Sequence, residues 1–252
     1  SVFGSGFNGI VYDAIIDNET GDIIFAGAFT TAGGTTVNRL CRWSITTETF
    51  STMGGTSCDG DIRCVYQAPN GDFYISGDFT VAPDGTAATR IAKSTNGTTW
   101  TAMGTGLNAA AYSMVIRPDG VLILGGAFTT AGGTTVNYVA FWNGSVYGTY
   151  GGTSCNNYVY KIFYDSGLNL LYIAGAFNAC PDGVTAYRIA KYDGTNWVAI
   201  GEGFNNTVYD FLVNDNGTMY ACGNFTQLGS IATSVSRVAY FNGVTWTQVG
   251  DG

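Results

Sequence analysis

Carboxylates and one lysine are the side chains whose positions in this sequence could support catalysis. Histidine is absent, so a nucleophile activated by an imidazole base is excluded. Asp13 and Asp210 occupy equivalent places in the first and last of five sequence repeats, and Lys161 occupies that place in the fourth. Paired carboxylates are what glycoside hydrolysis needs. The alternative, which we favour, is a structural role, either an ion pair between Lys161 and Asp210 or a solvated channel mouth.

Three short glycine-rich loops join an apolar residue to an asparagine, a mixture that suits a neutral sugar. The pairs are Phe7 with Asn8, Leu107 with Asn108, and Phe204 with Asn205. Asn38 and Asn137 end two copies of the string AFTTAGGTTVN. We predict that all these residues lie on one rim and bind ligand there. The alternative is that they only close their turns.

Cysteines are the remaining residues with chemistry of their own. No two form a tight CxxC pair, so without histidine we predict no metal site and no cofactor. Cys155 and Cys180 flank the first two strands of the fourth repeat on one rim, and we propose them as a disulfide. The second repeat has Cys58 at the first place and Ala82 at the second. Such a bond requires an oxidising compartment.

A motif that recurs about every 49 residues positions these side chains. It reads IFAGAFT, YISGDFT, ILGGAFT, YIAGAFN and YACGNFT, with Phe29, Phe79, Phe128, Phe177 and Phe225 at the shared place. Short β-branched and aromatic runs bounded by Gly, Asn and Asp divide each repeat into four strands, named a to d in chain order. A period of about 40–50 residues built from strands and turns is typical of a β-propeller with one blade per repeat.

We therefore predict an all-β fold without helices, a five-bladed β-propeller with four antiparallel strands per blade. Residues 1–252 are expected to form a single domain, with blades at approximately 4–53, 54–103, 104–150, 151–200 and 201–252. Strand a should be innermost, and the ring should close by packing of the last blade on the first. Because strands a and b are antiparallel, the d–a loops and the b–c loops should emerge on the same face.

Some recurring residues are predicted to be structural. A glycine recurs in the phenylalanine motif at Gly27, Gly77, Gly126, Gly175 and Gly223, and it should mark a bulge or a close approach of neighbouring blades. Trp100, Trp197 and Trp246 share a place on strand d, where packing between blades is favoured over sugar stacking. Cys41 and Cys222 are expected to be buried thiols within strands.

The composition limits the partners and the compartment. The net charge is −8 and the 10 basic residues are scattered, so nucleic acid is not an expected partner. No apolar run approaches the roughly 18 residues of a membrane span, so no membrane insertion is expected. A polar surface with only 11% charged residues is typical of secreted and virion proteins. The chain begins at Ser1 close to a repeat, so we expect a processed chain or a piece of a longer one.

The repeat resembles tandem β-propeller repeats of bacterial, phage and giant-virus surface proteins. Their pattern is GGxFT, then GG, then IAxWNGTxW, then GxG. Here GGxFT corresponds to Gly125–Thr129, and IAxWNGTxW corresponds to Val139–Ser145, Ile189–Trp197 and Val238–Trp246. The count of five and the Gly-x-Gly-Phe-Asn links are similar in architecture to tachylectin-like five-bladed lectins. The resemblance covers essentially the whole chain and implies a propeller.

The predicted function is that of a non-enzymatic module for adhesion, glycan binding or assembly, outside the cell or on a virion. Its expected partners are glycans or neighbouring surface or virion proteins. Two other functions stay open. One is a purely structural decoration or capsid-associated protein without a ligand, and the other is a five-bladed glycosidase that uses carboxylates at the channel mouth.

Overall fold

The computed structural model describes residues 3–152, 155–214, 217–229 and 233–250. Within them it contains strands and turns but no α-helix, apart from one turn of 3-10 helix at Pro181–Gly183. None of the described helical segments has the length and apolar character that a membrane-crossing helix requires. The chain divides into two compact units. Unit 1 comprises Ser1–Met114 and Thr130–Gly133, and unit 2 comprises Val115–Thr129 and Thr134–Gly252.

The described strands follow the five repeats in order. The first repeat contains β1 Val11–Ile16, β2 Ile23–Gly27, β3 Thr31–Ala32, β4 Thr35–Thr36, β5 Leu40–Ser44 and β6 Thr49–Thr52. The second contains β7 Ile62–Gln67, β8 Phe73–Gly77, β9 Ile91–Ser94 and β10 Thr101–Ala102. The third contains β11 Ala111–Ile116, β12 Leu122–Gly126, β13 Thr130–Ala131, β14 Thr134–Thr135, β15 Val139–Trp142 and β16 Tyr147–Thr149. The fourth contains β17 Val159–Asp165, β18 Leu170–Gly175, β19 Ile189–Tyr192 and β20 Trp197–Ala199. The fifth contains β21 Val208–Val213, β22 Met219–Gly223, β23 Val238–Phe241 and β24 Trp246–Gln248.

Each repeat forms one four-stranded antiparallel sheet in which strands a, b, c and d are neighbours in that order. Five such sheets confirm the predicted all-β class and its four strands per repeat, and they are consistent with the blades of a β-propeller. The first two sheets lie in unit 1 and the last two in unit 2, while the boundary between the units passes through the third repeat.

The turn residues predict c strands that start at Val37, Ala88, Asn137, Ala186 and Val235, and the observed c strands begin two or three residues later. The residue before each c strand has a positive φ angle, which breaks an extended ladder. These residues are Arg39 (73°), Arg90 (63°), Tyr138 (74°), Arg188 (72°) and Arg237 (59°). In the first and third repeats, the b–c string that was predicted as a loop instead forms a small hairpin, β3–β4 or β13–β14. Its two central glycines both have positive φ, as a tight hairpin turn requires.

The recurring glycine of strand b lies opposite a β-bulge in strand a. In the first sheet Gly27 pairs with Val11, and the register then shifts so that Tyr12 is unpaired. A Cβ atom on Gly27 would lie 2.1 Å from the carbonyl oxygen of Ile10. The equivalent distances are 1.9 Å at Gly77, 2.0 Å at Gly175 and 2.1 Å at Gly223, each to the residue before strand a. The predicted bulge is therefore confirmed, and the close approach comes from the same repeat rather than from a neighbouring one.

The phenylalanine two positions after this glycine belongs to the core. Phe29, Phe79, Phe128, Phe177 and Phe225 are all fully buried. In unit 1, Phe79 shares a cluster with Ile24 and Leu40 of the first sheet. In unit 2, Phe225 shares a cluster with Ala174 of the fourth sheet. The motif thus packs between consecutive sheets, as predicted.

Strand d of one repeat is tied by its tryptophan to the end of the preceding strand d or to the loop that follows that strand. The indole N–H of Trp100 donates to the carbonyl of Met53 at 3.2 Å. Trp197 donates to Gly151 at 2.8 Å, and Trp246 donates to Ile200 at 2.8 Å. All three tryptophans are buried. This confirms that they are core residues between repeats.

One face of the fifth sheet differs from its equivalents. The face of a sheet that the next repeat covers is called the trailing face. In the first sheet it carries Ile24 and Ala26, and both side chains are fully buried. In the fifth sheet the same two positions are Tyr220 and Cys222, and both are exposed. Leu212 and Val238 beside them are 53% and 41% exposed. The expectation that Cys222 is buried is therefore wrong, because its side chain lies on this exposed face of the fifth sheet.

Truncation of a motif phenylalanine should destabilise the protein strongly. We expect Phe128→Ala to lower the free energy of unfolding by about 3–5 kcal/mol, because the change leaves a cavity at a fully buried position. Phe163, which is 36% exposed on β17, is the matched control, and Phe163→Ala should cost less than about 1 kcal/mol. Urea unfolding followed by tryptophan fluorescence measures both. Equal losses in the two variants would contradict the assigned core.

Candidate binding surfaces

The d–a loops and the b–c loops meet on one edge of the sheets, as predicted, and together they are called the rim. Isolated bridges join them: Phe7 pairs with Ala32, Leu107 with Ala131, and Phe204 with Leu228. Strands a and b are antiparallel neighbours, so the residues before strand a and those after strand b reach the same edge. The rim is therefore a real feature of both units.

One side chain per repeat, here called the loop clamp, holds the rim together. The oxygen Oδ1 of Asn8 accepts hydrogen bonds from the backbone N–H groups of Thr30 and Thr31 at 2.8 and 2.9 Å. The other loop clamps are Asp59, Asn108, Asn156 and Asn205, and each accepts from the equivalent b–c residues. An oxygen acceptor thus satisfies N–H groups that leave the sheet ladder, so every repeat carries Asn or Asp at this place.

The predicted ligand-binding amides are engaged by the protein itself. Besides its accepted bonds, Asn8 donates through Nδ2 to Oγ1 of Thr30 at 2.8 Å, and Asn205 donates to Oγ1 of Thr226 at 3.2 Å. Nδ2 of Asn38 donates to the carbonyl of Cys58 at 2.9 Å. The structure therefore gives these amides a part in holding loops, and their contact with a ligand stays a prediction.

Asn137, the equivalent of Asn38 in the third repeat, is half-buried and has a positive φ of 38°. Its backbone N–H donates to the carbonyl of Thr129 at 3.2 Å. This residue turns the chain into β15, and its role as a ligand contact stays a prediction.

The apolar rim residues lie beneath the loops rather than on top of them. Leu107 and Phe204 are buried, and Phe7 is half-buried. The ring of Phe204 stacks on Phe225 with centroids 4.1 Å apart, and Phe7 lies 4.8 Å from Phe29. Burial against the motif phenylalanine removes much of these three side chains from water, and their contact with a ligand stays a prediction.

A row of tyrosines lies on the rim of unit 2, and the sequence interpretation missed it. The tyrosine row consists of Tyr138, Tyr158, Tyr160 and Tyr209, whose successive ring centroids are 5.7, 6.3 and 5.3 Å apart. Tyr158 and Tyr209 are 40% and 46% exposed. Nδ2 of Asn224 donates to the Tyr209 hydroxyl at 2.8 Å. Aromatic rings and an amide therefore share one exposed surface.

The bulge explains why these rings are where they are. Tyr160 and Tyr209 are the unpaired bulge residues of β17 and β21, opposite Gly175 and Gly223. A bulge redirects a side chain out of the sheet, and bulges are frequent beside functional sites. The second residue of strand a is the bulge residue, and it is a tyrosine in the fourth and fifth repeats. A comparison of this position between repeats could therefore have revealed the row from the sequence.

Unit 1 uses the same bulge positions differently. The guanidinium of Arg63 lies 4.2 Å from the ring centroid of Tyr12. Nε of Arg63 donates to Asp78 at 2.8 Å, and the Tyr12 hydroxyl donates to Asp61 at 3.3 Å. Charged groups thus occupy the surface that in unit 2 is left to tyrosines.

The candidate carboxylates have structural partners. Nζ of Lys161 lies 2.9 Å from Oδ1 of Asp210, which confirms the expected ion pair. The two oxygens of Asp13 accept from the backbone N–H groups of Ala14 and Val65, both at 2.9 Å. No group of three or more Cys, Asp or Glu residues in the described ranges could hold a metal ion.

The two cysteines predicted to pair lie in one buried cluster of the fourth repeat as free thiols. Burial raises the pKa of Cys180 to about 12. Burial, and then the neighbouring Cys180, raise the pKa of Cys155. The disulfide itself stays a prediction. In unit 1, Cys58 and Ala82 share the equivalent cluster, as their alignment indicated.

Known proteins support the architecture and leave the activity open. Residues 117–140 match a family model described as a domain of unknown function (DUF5122) beta-propeller. No curated protein matches the chain. Similar solved structures include the following two. The Niastella koreensis GH74 enzyme NkGH74 is 19% identical with a TM-score of 0.59, and the WD40 beta propeller domain of Doa1 is 16% identical with a TM-score of 0.55. The repeats have β-propeller architecture.

The extent of these matches limits what they show. The alignment with NkGH74 covers 98% of this chain and 38% of that chain. The alignment with Doa1 covers 87% of this chain and 64% of that chain. At this identity the likeness shows the fold alone, since propellers host many unrelated activities.

The one loop clamp that is a carboxylate should make stability depend on acid. Burial raises the pKa of Asp59, but hydrogen bonds from Thr80 and Val81 outweigh it and hold the pKa below the ordinary 3.8. Because the folded-state pKa is lowered, Asp59 contributes stability above about pH 4 that is lost as pH falls through its folded pKa. The other four repeats carry Asn here, so Asp59→Asn should fold and should lose less stability on acidification.

Urea unfolding at about pH 6 and about pH 2.5 measures this difference. The reciprocal variant Asn205→Asp, which gives the fifth repeat a carboxylate clamp, should increase the loss in acid. An Asp59→Asn protein with the same acid dependence as the parent would show that this carboxylate has no such role.

Proposed function

We propose that the chain is a five-bladed β-propeller that binds glycans at an extracellular or virion surface without catalysing a reaction. The observation that carries the proposal is the tyrosine row on the rim of unit 2. Its rings are contributed by three consecutive repeats and are partly exposed. Neighbouring proteins of the same surface are the second class of partner that such a module would contact.

The chemistry of the tyrosine row suits an uncharged sugar. A ring packs its face or edge against the C–H groups of a sugar, while phenol and amide groups exchange hydrogen bonds with its hydroxyls. Asn224 beside Tyr209 supplies such an amide. The low content of charged residues, 11%, fits a neutral ligand better than a phosphate or a sulfate.

A catalytic role for the carboxylates has less support. A glycosidase needs one carboxyl group as the acid and a second as the nucleophile or base. Asp210 is held by Lys161, and Asp13 is held by backbone N–H groups. These bonds give both residues a structural purpose.

Closure of five blades into one ring is part of the proposal. A closed ring requires that every trailing face be covered, as the first, third and fourth are. The exposed Leu212, Tyr220 and Val238 of the fifth sheet form an apolar face that is costly to leave in water. This cost supports a closed ring in which the first repeat covers the fifth sheet.

Cys222 reports on closure directly. It lies on the trailing face of the fifth sheet, and the other five cysteines are buried. The described structure leaves this thiol exposed, so only a first repeat that packs over the fifth sheet would slow its reaction with a maleimide. For such a closed ring we expect a rate at least about 100-fold below the rate in urea. The Cys222→Ser variant identifies its share of the signal. Reaction at the unfolded rate would contradict a closed ring of five blades.

Loss of a row tyrosine should weaken glycan binding. We expect Tyr209→Ala to reduce the affinity for the best ligand of a glycan array about tenfold, because one aromatic contact is removed. Tyr66, a half-buried tyrosine that packs on Tyr74 in unit 1, is the control, and Tyr66→Ala should leave affinity unchanged. Isothermal titration calorimetry measures both. Absence of any array ligand for a folded protein would favour the structural decoration function instead.

A further inference from the structure

A cleft opens in unit 2 at the edge opposite the rim, where the a–b and c–d turns lie. It has a volume of about 380 Å³ and lies between the third and fourth repeats. Its polar and aromatic lining includes Arg117, Tyr150, Asn169, Tyr192 and Phe141. Tyr150 and Gly151 come from the start of the d–a loop of the third repeat, and no residue of the tyrosine row contributes to the lining.

Asn169 is the residue that distinguishes this cleft in the sequence. It occupies the left-handed turn position of the fourth repeat with φ 56°, where the other repeats carry Gly21, Gly71, Gly120 and Gly217. Asparagine tolerates this conformation at a modest cost. Its Oδ1 accepts a hydrogen bond from the Tyr164 hydroxyl. Within the described chain its Nδ2 has no hydrogen-bond partner, and it lies 3.9 Å from where a Cβ of the cleft residue Gly194 would stand.

Arg117 and Tyr150 supply the opposite wall. Nη1 of Arg117 donates to the Tyr150 hydroxyl at 3.3 Å, and Nη2 lies 3.0 Å from Asp119. The ring of Tyr150 lies 5.5 Å from Tyr192 in an edge-to-face contact. A guanidinium held by both a phenol and a carboxylate presents oriented donors with little net positive charge.

Such a lining is not a general property of the repeats. Between the first and second repeats, Asp17 accepts from Arg42 at 2.5 Å and from Gln67 at 3.1 Å, so side chains bond to one another across this place. Between the fourth and fifth repeats a cleft of about 400 Å³ has a largely aliphatic lining with Leu168 and Val244. The cleft between the third and fourth repeats differs in its lining, which includes a guanidinium, a carboxamide and two phenols.

We propose that this cleft binds an uncharged sugar of one or two rings. Arg117 and the free Nδ2 of Asn169 would donate to sugar hydroxyls, and Tyr192 would pack against the sugar ring. The volume lies near the lower end for small-molecule sites, which begin at about 300 Å³. The chain's net charge of −8 and Asp119 on the guanidinium disfavour an anion. The proposal shares a ligand class with the proposed function but none of its residues.

Titrations with glucose, galactose, mannose, N-acetylglucosamine and their β-linked disaccharides test the site. Trp197 is the reporter, because its ring lies 5.2 Å from Tyr192 and its indole bonds to the cleft residue Gly151. We expect saturable quenching by at least one of these sugars. Asn169→Gly should weaken that affinity at least about fivefold without loss of stability, because it restores the residue that the other turns use. Tyr150→Phe should weaken it similarly.

Controls separate this cleft from the tyrosine row. Tyr209→Ala should leave the Trp197 titration unchanged, and Asn169→Gly should leave rim binding unchanged. Failure of every sugar to change Trp197 emission saturably would overturn the proposal. So would unchanged affinity in Asn169→Gly, or tighter binding of glucuronic acid than of glucose.

Discussion

The absence of one side chain in each sheet is the constraint on which the repeat depends. At Gly27, Gly77, Gly175 and Gly223 the carbonyl of the residue before strand a stands about 2 Å from where a Cβ would be. Any larger residue would push strand a away from strand b. The bulge that results from this contact redirects the start of strand a. It also leaves the chain of strand b free to turn, two residues later, so that the motif phenylalanine enters the core.

The same constraint places the surface chemistry. Because the bulge residue has no partner in the ladder, its side chain is available for contacts at the rim. Unit 2 uses this freedom for Tyr160 and Tyr209, and unit 1 uses it for Tyr12 and Arg63. The β-bulge therefore gives a repeat one position, the unpaired bulge residue, where the residue type can vary while the pairing of strands a and b is kept.

Sequence reasoning succeeded where one physical cause governs all five repeats. The period and the turn residues gave four strands per repeat, and the motif phenylalanine and the tryptophans were correctly assigned to the core. The predicted c strands began too early because the residues before them, such as Arg39 and Arg90, have a positive φ. Unlike glycine, arginine gives no indication of that conformation in a sequence. The burial of Leu107 and Phe204 was missed for a different reason, since it depends on what lies beneath the loop. Asn169 could have been noticed only by comparing its turn with the four equivalent turns, which carry glycine at this position.

The hydrogen bonds of the tryptophans also affect the order in which the repeats can fold during synthesis. The carbonyl of Met53 receives its hydrogen bond from a residue 47 positions further on, and the carbonyls of Gly151 and Ile200 receive theirs from residues 46 positions further on. Each of these strand ends therefore stays unfinished until the outermost strand of the following repeat has been synthesised. Assembly from the N-terminus proceeds with a lag of one repeat, and the last sheet to emerge is always the least secured.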